Sequence, residues 1–175
     1  MMQDPEVWAA DKIELDKWKA ASTVDLIHHI VGHYHREARV EMARLESQAD
    51  EAVLMEGVNH PVLMEIRDEV DRLCIELRNH LAVEERMLFP ALLDIAEGRA
   101  PSIPVETLEP MRLLEDEHEA AAGLLKRLRV LTEGFNPPEN ARAAQRKFFE
   151  TLQTLANSLY RHVYLENQVL FQRLR

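Results

Sequence analysis

Two stretches of this sequence place a histidine and a glutamate four residues apart and then repeat their surroundings. His80 is followed by Glu84, Glu85, Met87, Leu88 and Phe89, and His162 by Glu166, Asn167, Val169, Leu170 and Phe171. Both read H-x-x-x-E-[EN]-x-[MV]-L-F. On a helix, residues i and i+4 project from one face. Each copy therefore offers an imidazole and a carboxylate to the same point, which is the spacing of two metal ligands.

Both pairs sit inside apolar stripes. Leu63, Ile66, Val70, Leu73, Leu77, His80, Glu84 and Met87 advance in steps of three and four, as do Phe148, Leu152, Leu155, Leu159, His162, Glu166 and Val169. A stripe of that period faces a core, where an unpaired carboxylate or imidazole is expensive to desolvate. A metal ion supplies the missing partner. Two more stripes carry inner histidines: Val24, His28, Val31, His35, Ala38, Met42, Leu45, Ala49, Ala52, Glu56, and Met111, Leu114, His118, Ala121, Leu125, Leu128. His35 precedes His80 by 45 residues and His118 precedes His162 by 44. The chain reads as two similar helical hairpins, each bringing one lone histidine and one His/Glu pair to a shared interior, and two facing half-sites predict two metals.

Any one of these histidines alone would be read as a core residue hydrogen-bonded to a carbonyl or carboxylate. The matched depth of four histidines and two glutamates overrides that reading. His28 keeps it, because two turns of helix put it about 10 Å from His35 along the axis. His29 and His33 point elsewhere, solvated or partly packed; Glu115 reads as an exposed helix charge, and the run from Glu65 to Arg72 as a solvated face. Imidazole and carboxylate without thiolate fit iron, manganese or zinc, and carboxylates reaching inward from opposed helices suit bridging. Two irons are the favoured pair, with Mn or Zn as substitutes.

The elements that must position these groups are helices: 46% of the 175 residues are hydrophobic and only 5 are glycine. The spacing predicts a short amphipathic helix near 5–20, with Trp8 and Trp18, and long helices at 22–57, 61–97, 105–134 and 138–174. Ser22 and Thr23 give N-cap signals. Gly57 with Asn59-His60-Pro61, Gly98 through Pro104, and Gly134 through Pro138 give breaks. Short loops favour antiparallel neighbours, so the expected fold is all-α, an antiparallel four-helix up-down bundle over 22–175 preceded by a short extra helix in 1–21. Pro90 is expected to kink or interrupt the second long helix.

A net charge of −10 disfavours nucleic acid and anionic membrane surfaces. No apolar run spans a bilayer and no signal peptide is visible, so a cytosolic protein is expected. The single cysteine, Cys74, excludes an internal disulfide and reads as a small buried residue. Trp8 and Trp18 could cap the bundle or form a homodimer contact.

With His35, His80/Glu84, His118 and His162/Glu166 in place, the chain resembles the hemerythrin-like HHE cation-binding family, and within it the di-iron proteins that repair iron-sulfur clusters under nitrosative and oxidative stress. The matching segments are His29 through His35, His80 through Pro90, Glu117-His118-Glu119, Leu131 through Pro138, and His162 through Phe171. The resemblance implies that Glu84 and Glu166 bridge two irons, with His35, His80, His118 and His162 as terminal ligands. The family usually adds a fifth histidine near the end of the first long helix. Ungapped counting puts Glu56 there, while His60 follows one turn later in an Asn-His-Pro context; His60 is ranked first by residue type, with Glu56 its rival by stripe and spacing. Repair proteins of this type often carry a cysteine-containing N-terminal domain, whereas residues 1–21 here hold no cysteine.

The function so implied is that of a non-heme di-iron protein that binds or reacts with O2, NO or peroxide, in stress response or cluster repair, with iron-sulfur proteins among its partners. The main alternative is reversible O2 storage or sensing without turnover. A ferritin-like oxidase should show two E-x-x-H motifs, and only Glu115 with His118 supplies one. A partner-binding bundle with purely structural metals is a further alternative.

Overall fold

The helix signals lead to an all-α chain. The computed structural model describes the backbone of residues 5–101 and 109–174, and their side chains except at 5–10, 109, 110 and 174. Trp8 and the 102–104 part of the predicted break thus lie outside the described side chains and residues. Helix α1 (Pro5–Asp16) ends in a 3-10 turn, Lys17–Ala20. Ser22 then caps α2 (Thr23–His29) by accepting a hydrogen bond from the Asp25 amide at 3.0 Å. α2 runs through a π turn (Ile30–His35) into α3 (Arg36–Glu56), and α4 (Val62–Val83) runs through a π turn (Glu84–Leu88) into α5 (Phe89–Ala96). α6 spans Glu109–Leu131; α7 (Ala143–Leu165) continues into a third π turn (Glu166–Leu170) and a 3-10 turn (Phe171–Leu174). No strand occurs among the described residues.

The bundle is built by α3 lying between α4 and α7, with α4 also packed on α6. α6 touches α7 only sparsely, which leaves a groove between them. The turn before α7 is held by three successive left-handed residues, Glu133 (φ 49°), Gly134 (φ 88°) and Phe135 (φ 67°). The Thr132 hydroxyl accepts the Phe135 amide hydrogen bond at 3.0 Å, and the Phe135 ring tucks into the core. α1 packs on α7: Leu15 is buried and Arg161 donates two hydrogen bonds to Asp11 at 2.8 and 3.1 Å.

Two apolar clusters fill the interior. One runs from Ala38 to Ala52 on α3, Leu63 to Leu81 on α4, Leu125 and Leu128 on α6, and Phe148 to Leu159 on α7. Cys74 belongs to it, and burial pushes its thiol up to about 12. The other gathers Leu15, Leu26, Ile27, Ile30 and Tyr34 with Leu88, Phe89, Leu92, Leu165, Val169, Leu170 and Phe171. Between them lies a buried polar layer.

The π turns change which residues face that interior. A steady α period places Met87 on the inner stripe, yet Met87 is 51% exposed and Leu88 is 3% exposed. One π turn inserts an extra residue and rotates everything beyond it. The same displacement before His35 turns His28 outward, against the expectation of a core histidine, and brings Leu26, Ile27 and Ile30 inward. Pro90 sits in the first turn of α5, right after the π turn, where the missing amide hydrogen bond costs least.

Candidate metal centre

The polar layer consists of His35 from the first π turn, His80 and Glu84 from α4 and the second, His118 from α6, and His162 and Glu166 from α7 and the third. All six are buried. The π turns bear directly on this layer: His35 closes one, and Glu84 and Glu166 open the other two.

The six groups sort into two overlapping sets. In the first half-site, His35 Nε2 and His162 Nε2 are 3.1 Å apart; Glu84 Oε2 is 3.4 Å from His35 Nε2, and Glu166 Oε1 is 2.9 Å from His162 Nε2. In the second, His80 Nε2 and His118 Nε2 are 3.0 Å apart; Glu84 Oε1 is 3.3 Å from His80 Nε2, and Glu166 Oε2 is 3.1 Å from His118 Nε2. Each carboxylate thus turns one oxygen to each half-site. Within each set of four, one ligand atom per residue lies within 4.8 Å of all the others.

Hydrogen bonding at the outer nitrogens explains why the inner ones face each other. Nδ1 of His35 donates to Glu85 Oε1 at 2.7 Å, Nδ1 of His80 to Glu117 Oε2 at 2.7 Å, and Nδ1 of His118 to Asn167 Oδ1 at 3.0 Å. In these tautomers each Nε2 presents a lone pair. None of the four oxygens of Glu84 and Glu166 has a hydrogen-bond donor. Lone pairs and anionic oxygens crowded into a dry layer repel one another unless cations lie between them.

In the metal-free chain, protons meet that need. Burial lowers the basicity of His35, but the facing carboxylates of Glu166 and Glu84 outweigh it and hold the ring up to about 10. His80 is likewise raised to about 9, its burial outweighed by Glu84. Glu166 stays well below the usual carboxylate range, the imidazoles outweighing its complete burial.

The rings are also walled: Phe89 lies on His35, Tyr34 on His162 and Phe171 on His118. Arg39 donates to Glu85 at 2.9 Å, and Arg39 and His35 keep that carboxylate below its ordinary value despite partial burial. Between α4, α6 and α7 opens an apolar cavity of about 300 Å³, lined by Leu77, Ala121, Leu125, Leu159 and Val163 and reaching His80, His118 and His162.

Neither candidate for a fifth ligand comes near. Glu56 is 21 residues beyond His35 and His60 is 20 before His80, so the helical rise puts both about 30 Å from the layer. Glu56 instead pairs with Arg142 at 2.9 Å across the far end of the bundle, and His60 sits in the turn before α4. Among the described residues, neither belongs to a candidate metal cluster. His33 pairs with Glu37 at 3.3 Å on the surface, His29 stacks on Trp18, and Glu115 lies outside the clusters. Sequence reasoning missed the roles of Glu85, Asn167, Glu117 and Tyr34. The signal for the first two was the polar residue that follows the glutamate in both copies of the repeat.

Comparison with known proteins agrees with this geometry. Residues 26–174 match the family described as the hemerythrin HHE cation binding domain. The chain is 30% identical over 148 residues to the iron-sulfur cluster repair protein ScdA of Staphylococcus haemolyticus, covering 85% of this chain and 65% of that protein. It is 29% identical over 165 residues to the repair protein YtfE of Escherichia coli, covering 94% of this chain and 71% of that one. A probable iron-sulfur cluster repair protein of Haemophilus influenzae is 26% identical over 157 residues, covering 90% and 67%. The chain thus spans about two thirds of the length of these relatives. The buried His/Glu layer gathers two sets of side chains that could each hold a metal ion, and no described helix is long and apolar enough to cross a membrane.

Proposed function

This chain belongs to the hemerythrin HHE cation-binding family, and from that premise we propose that its polar layer holds two iron ions which bind or react with O2, NO or peroxide in a stress response that includes iron-sulfur cluster repair. His35 and His162 serve one ion, His80 and His118 the other, and Glu84 and Glu166 serve both. The observation that carries this reading is the division of each carboxylate between the half-sites. A shared anionic oxygen pair screens two cations from each other, which a single-metal site has no need to do.

Imidazole and carboxylate donors suit iron and manganese as well as zinc, and the carboxylates shared between two half-sites favour a redox-active pair such as iron. Cys74, in the apolar cluster, brings no thiolate.

When bound, such a pair supplies electrons and an open coordination position for a small molecule. The protein's own part is orientation and exclusion. Glu85, Glu117 and Asn167 fix the tautomers of three ligand rings. The leucine and phenylalanine walls keep bulk water out, and the apolar cavity beside His80 and His118 admits small neutral molecules more readily than hydrated anions. Cluster repair comes from the relatives' names alone, and with it iron-sulfur proteins as partners and a cytosolic location.

Metal analysis of the Glu84→Ala, Glu166→Ala double variant tests the reading. Iron should fall from about two per chain to none, and unchanged iron would remove it. Adding O2 to the reduced protein separates reaction from carriage, because a visible band that vanishes under vacuum belongs to reversible storage.

A further inference from the structure

Among the described ring contacts, a series of aromatic rings leads outward from the first half-site and none leads outward from the second. The buried Tyr34 ring lies nearly parallel to His162, with centroids 5.9 Å apart and 13° between the planes. On its far side His29 meets Tyr34 edge-on at 5.4 Å, and Trp18 stacks on His29 at 4.0 Å and 15°. Trp18 is only partly buried, at the junction of α1 and the bundle. Four rings therefore run without a break from a metal-site histidine to the surface.

The equivalent place in the other hairpin is differently filled. Tyr34 precedes the lone histidine His35 and touches His162 of the opposite hairpin; Glu117 precedes His118 and touches His80. Among the described ring contacts, none leads outward from His80 through a tyrosine or tryptophan. Packing alone would be served by leucine at either position. Tyrosine and tryptophan are the two side chains whose rings readily give up one electron, and here they alternate with imidazoles in short steps.

We propose that Tyr34 and Trp18 form a relay that carries one-electron oxidising equivalents from the metal pair to the protein surface. The relay rests on the metal-binding reading above. Reducing hydrogen peroxide to two waters takes two electrons and two protons. When the reduced metals yield only one electron, Trp18 supplies the other. Tyr34 passes an electron inward and its phenolic proton to water, then regains an electron from Trp18 and a proton from water. Trp18 is left as a neutral radical, its indole N–H proton released to solvent. A soluble one-electron donor of the thiol or ascorbate class returns the electron, and Trp18 takes a proton back. Oxidation thereby lands on a surface ring that solvent reductants reach, and the ligand histidines are spared.

The test uses the full chain loaded with two irons and poised with one ferrous and one ferric ion, with iron measured on the same sample. One equivalent of hydrogen peroxide is added without air, so that the metals supply one electron and the protein must supply the second, followed by rapid freezing for electron paramagnetic resonance and by peptide mass mapping. An aromatic radical is expected, with Trp18 carrying most of the added oxygen. Tyr34→Phe keeps the ring and the stacking but removes the phenol. It should cut Trp18 oxidation by more than half and move damage to residues around the site, and His29→Leu should do the same from the other side. A fully loaded chain with no aromatic radical overturns the relay, as does Trp18 oxidation that is unchanged in both variants. A chain that binds no iron overturns the metal reading itself.

Discussion

The two half-sites hold the same donors and differ in what lies beyond the groups that touch those donors. Each takes two imidazole nitrogens about one ligand–ligand separation apart and one oxygen from each of Glu84 and Glu166. On the His35/His162 side Phe89 and Tyr34 lie against the ligand rings, Glu85 and Arg39 lead from His35 to the surface, and the aromatic series leads out from His162. The His80/His118 side borders the apolar cavity and leans on Glu117, whose side chain is 52% exposed. A repeated hairpin thus fixes the ligands, while single residues beside them set access on one face and electron flow on the other.

The bluntest way to break the comparison is to remove what the half-sites share. Glu166→Ala should cost both metals, because it withdraws an oxygen from each set and leaves His118 and His162 without their carboxylate. His118→Ala touches only one set, and metal analysis should find close to half the content retained. Equal loss in the two variants would mean that the half-sites do not fill separately.

Next in size is the loss of an orienting partner, for which a roughly 10–100-fold drop in metal affinity is typical. Glu85→Gln should lie at the upper end, because Glu85 is mostly buried and tied to both His35 and Arg39. Glu117→Gln should lie at the lower end, since water can replace a half-exposed carboxylate on His80. Competition with a chelator ranks them, and the reverse order would refute the view that the first half-site is the more tightly enclosed.

A smaller effect should appear in the metal-free chain as a pH dependence of opposite sign to that of the loaded one. His35 at about 10 and His80 at about 9 bind protons more tightly folded than unfolded. Their stabilisation is complete below the unfolded value of about 6.5 and is lost as pH rises through 9 and then 10. Glu166, held low, contributes above its unfolded value of about 4.5 and loses that contribution only in stronger acid. Stripped of metal, the protein should therefore lose on the order of a few kcal/mol between neutrality and pH 10. Loaded protein should instead weaken toward acid, where protons compete for the ligands. Thermal melts with and without chelator give both curves.

The sequence shows the helices and the six converging side chains because both rest on period alone. Val70, Leu73 and Leu77 lead to His80 and Glu84 in unbroken steps, and the second hairpin repeats them. The period failed where the backbone changes pitch. Nothing local distinguishes Ile30–His35 from an ordinary helical turn, so Met87 and His28 were assigned inward and Leu88 and Ile27 were not. The fifth-ligand assignment failed for another reason. It rested on a family habit and on residue type, whereas about 1.5 Å of rise per residue over twenty residues already puts Glu56 and His60 at the opposite end of the bundle. Glu85 and Asn167 were hidden because an α helix turns adjacent residues about 100° apart, and only the π turn lets both the shared glutamate and its neighbour reach imidazoles.

The finest distinction between the half-sites is access, and filling the cavity tests it. Ala121 lies one turn beyond His118 on the inner face of α6 and lines the space between α4 and α7. The sparse packing of α6 on α7 keeps that space open, so a larger ring can enter it without displacing a core residue. Ala121→Phe should leave metal content unchanged, because no ligand or orienting partner moves. It should slow NO binding to the reduced protein about tenfold, equivalent to about 1.4 kcal/mol of added barrier. Stopped-flow absorbance measures the rate. If NO binds as fast with the cavity filled, small molecules reach the metals by another route, and the open face of the second half-site is not their entrance.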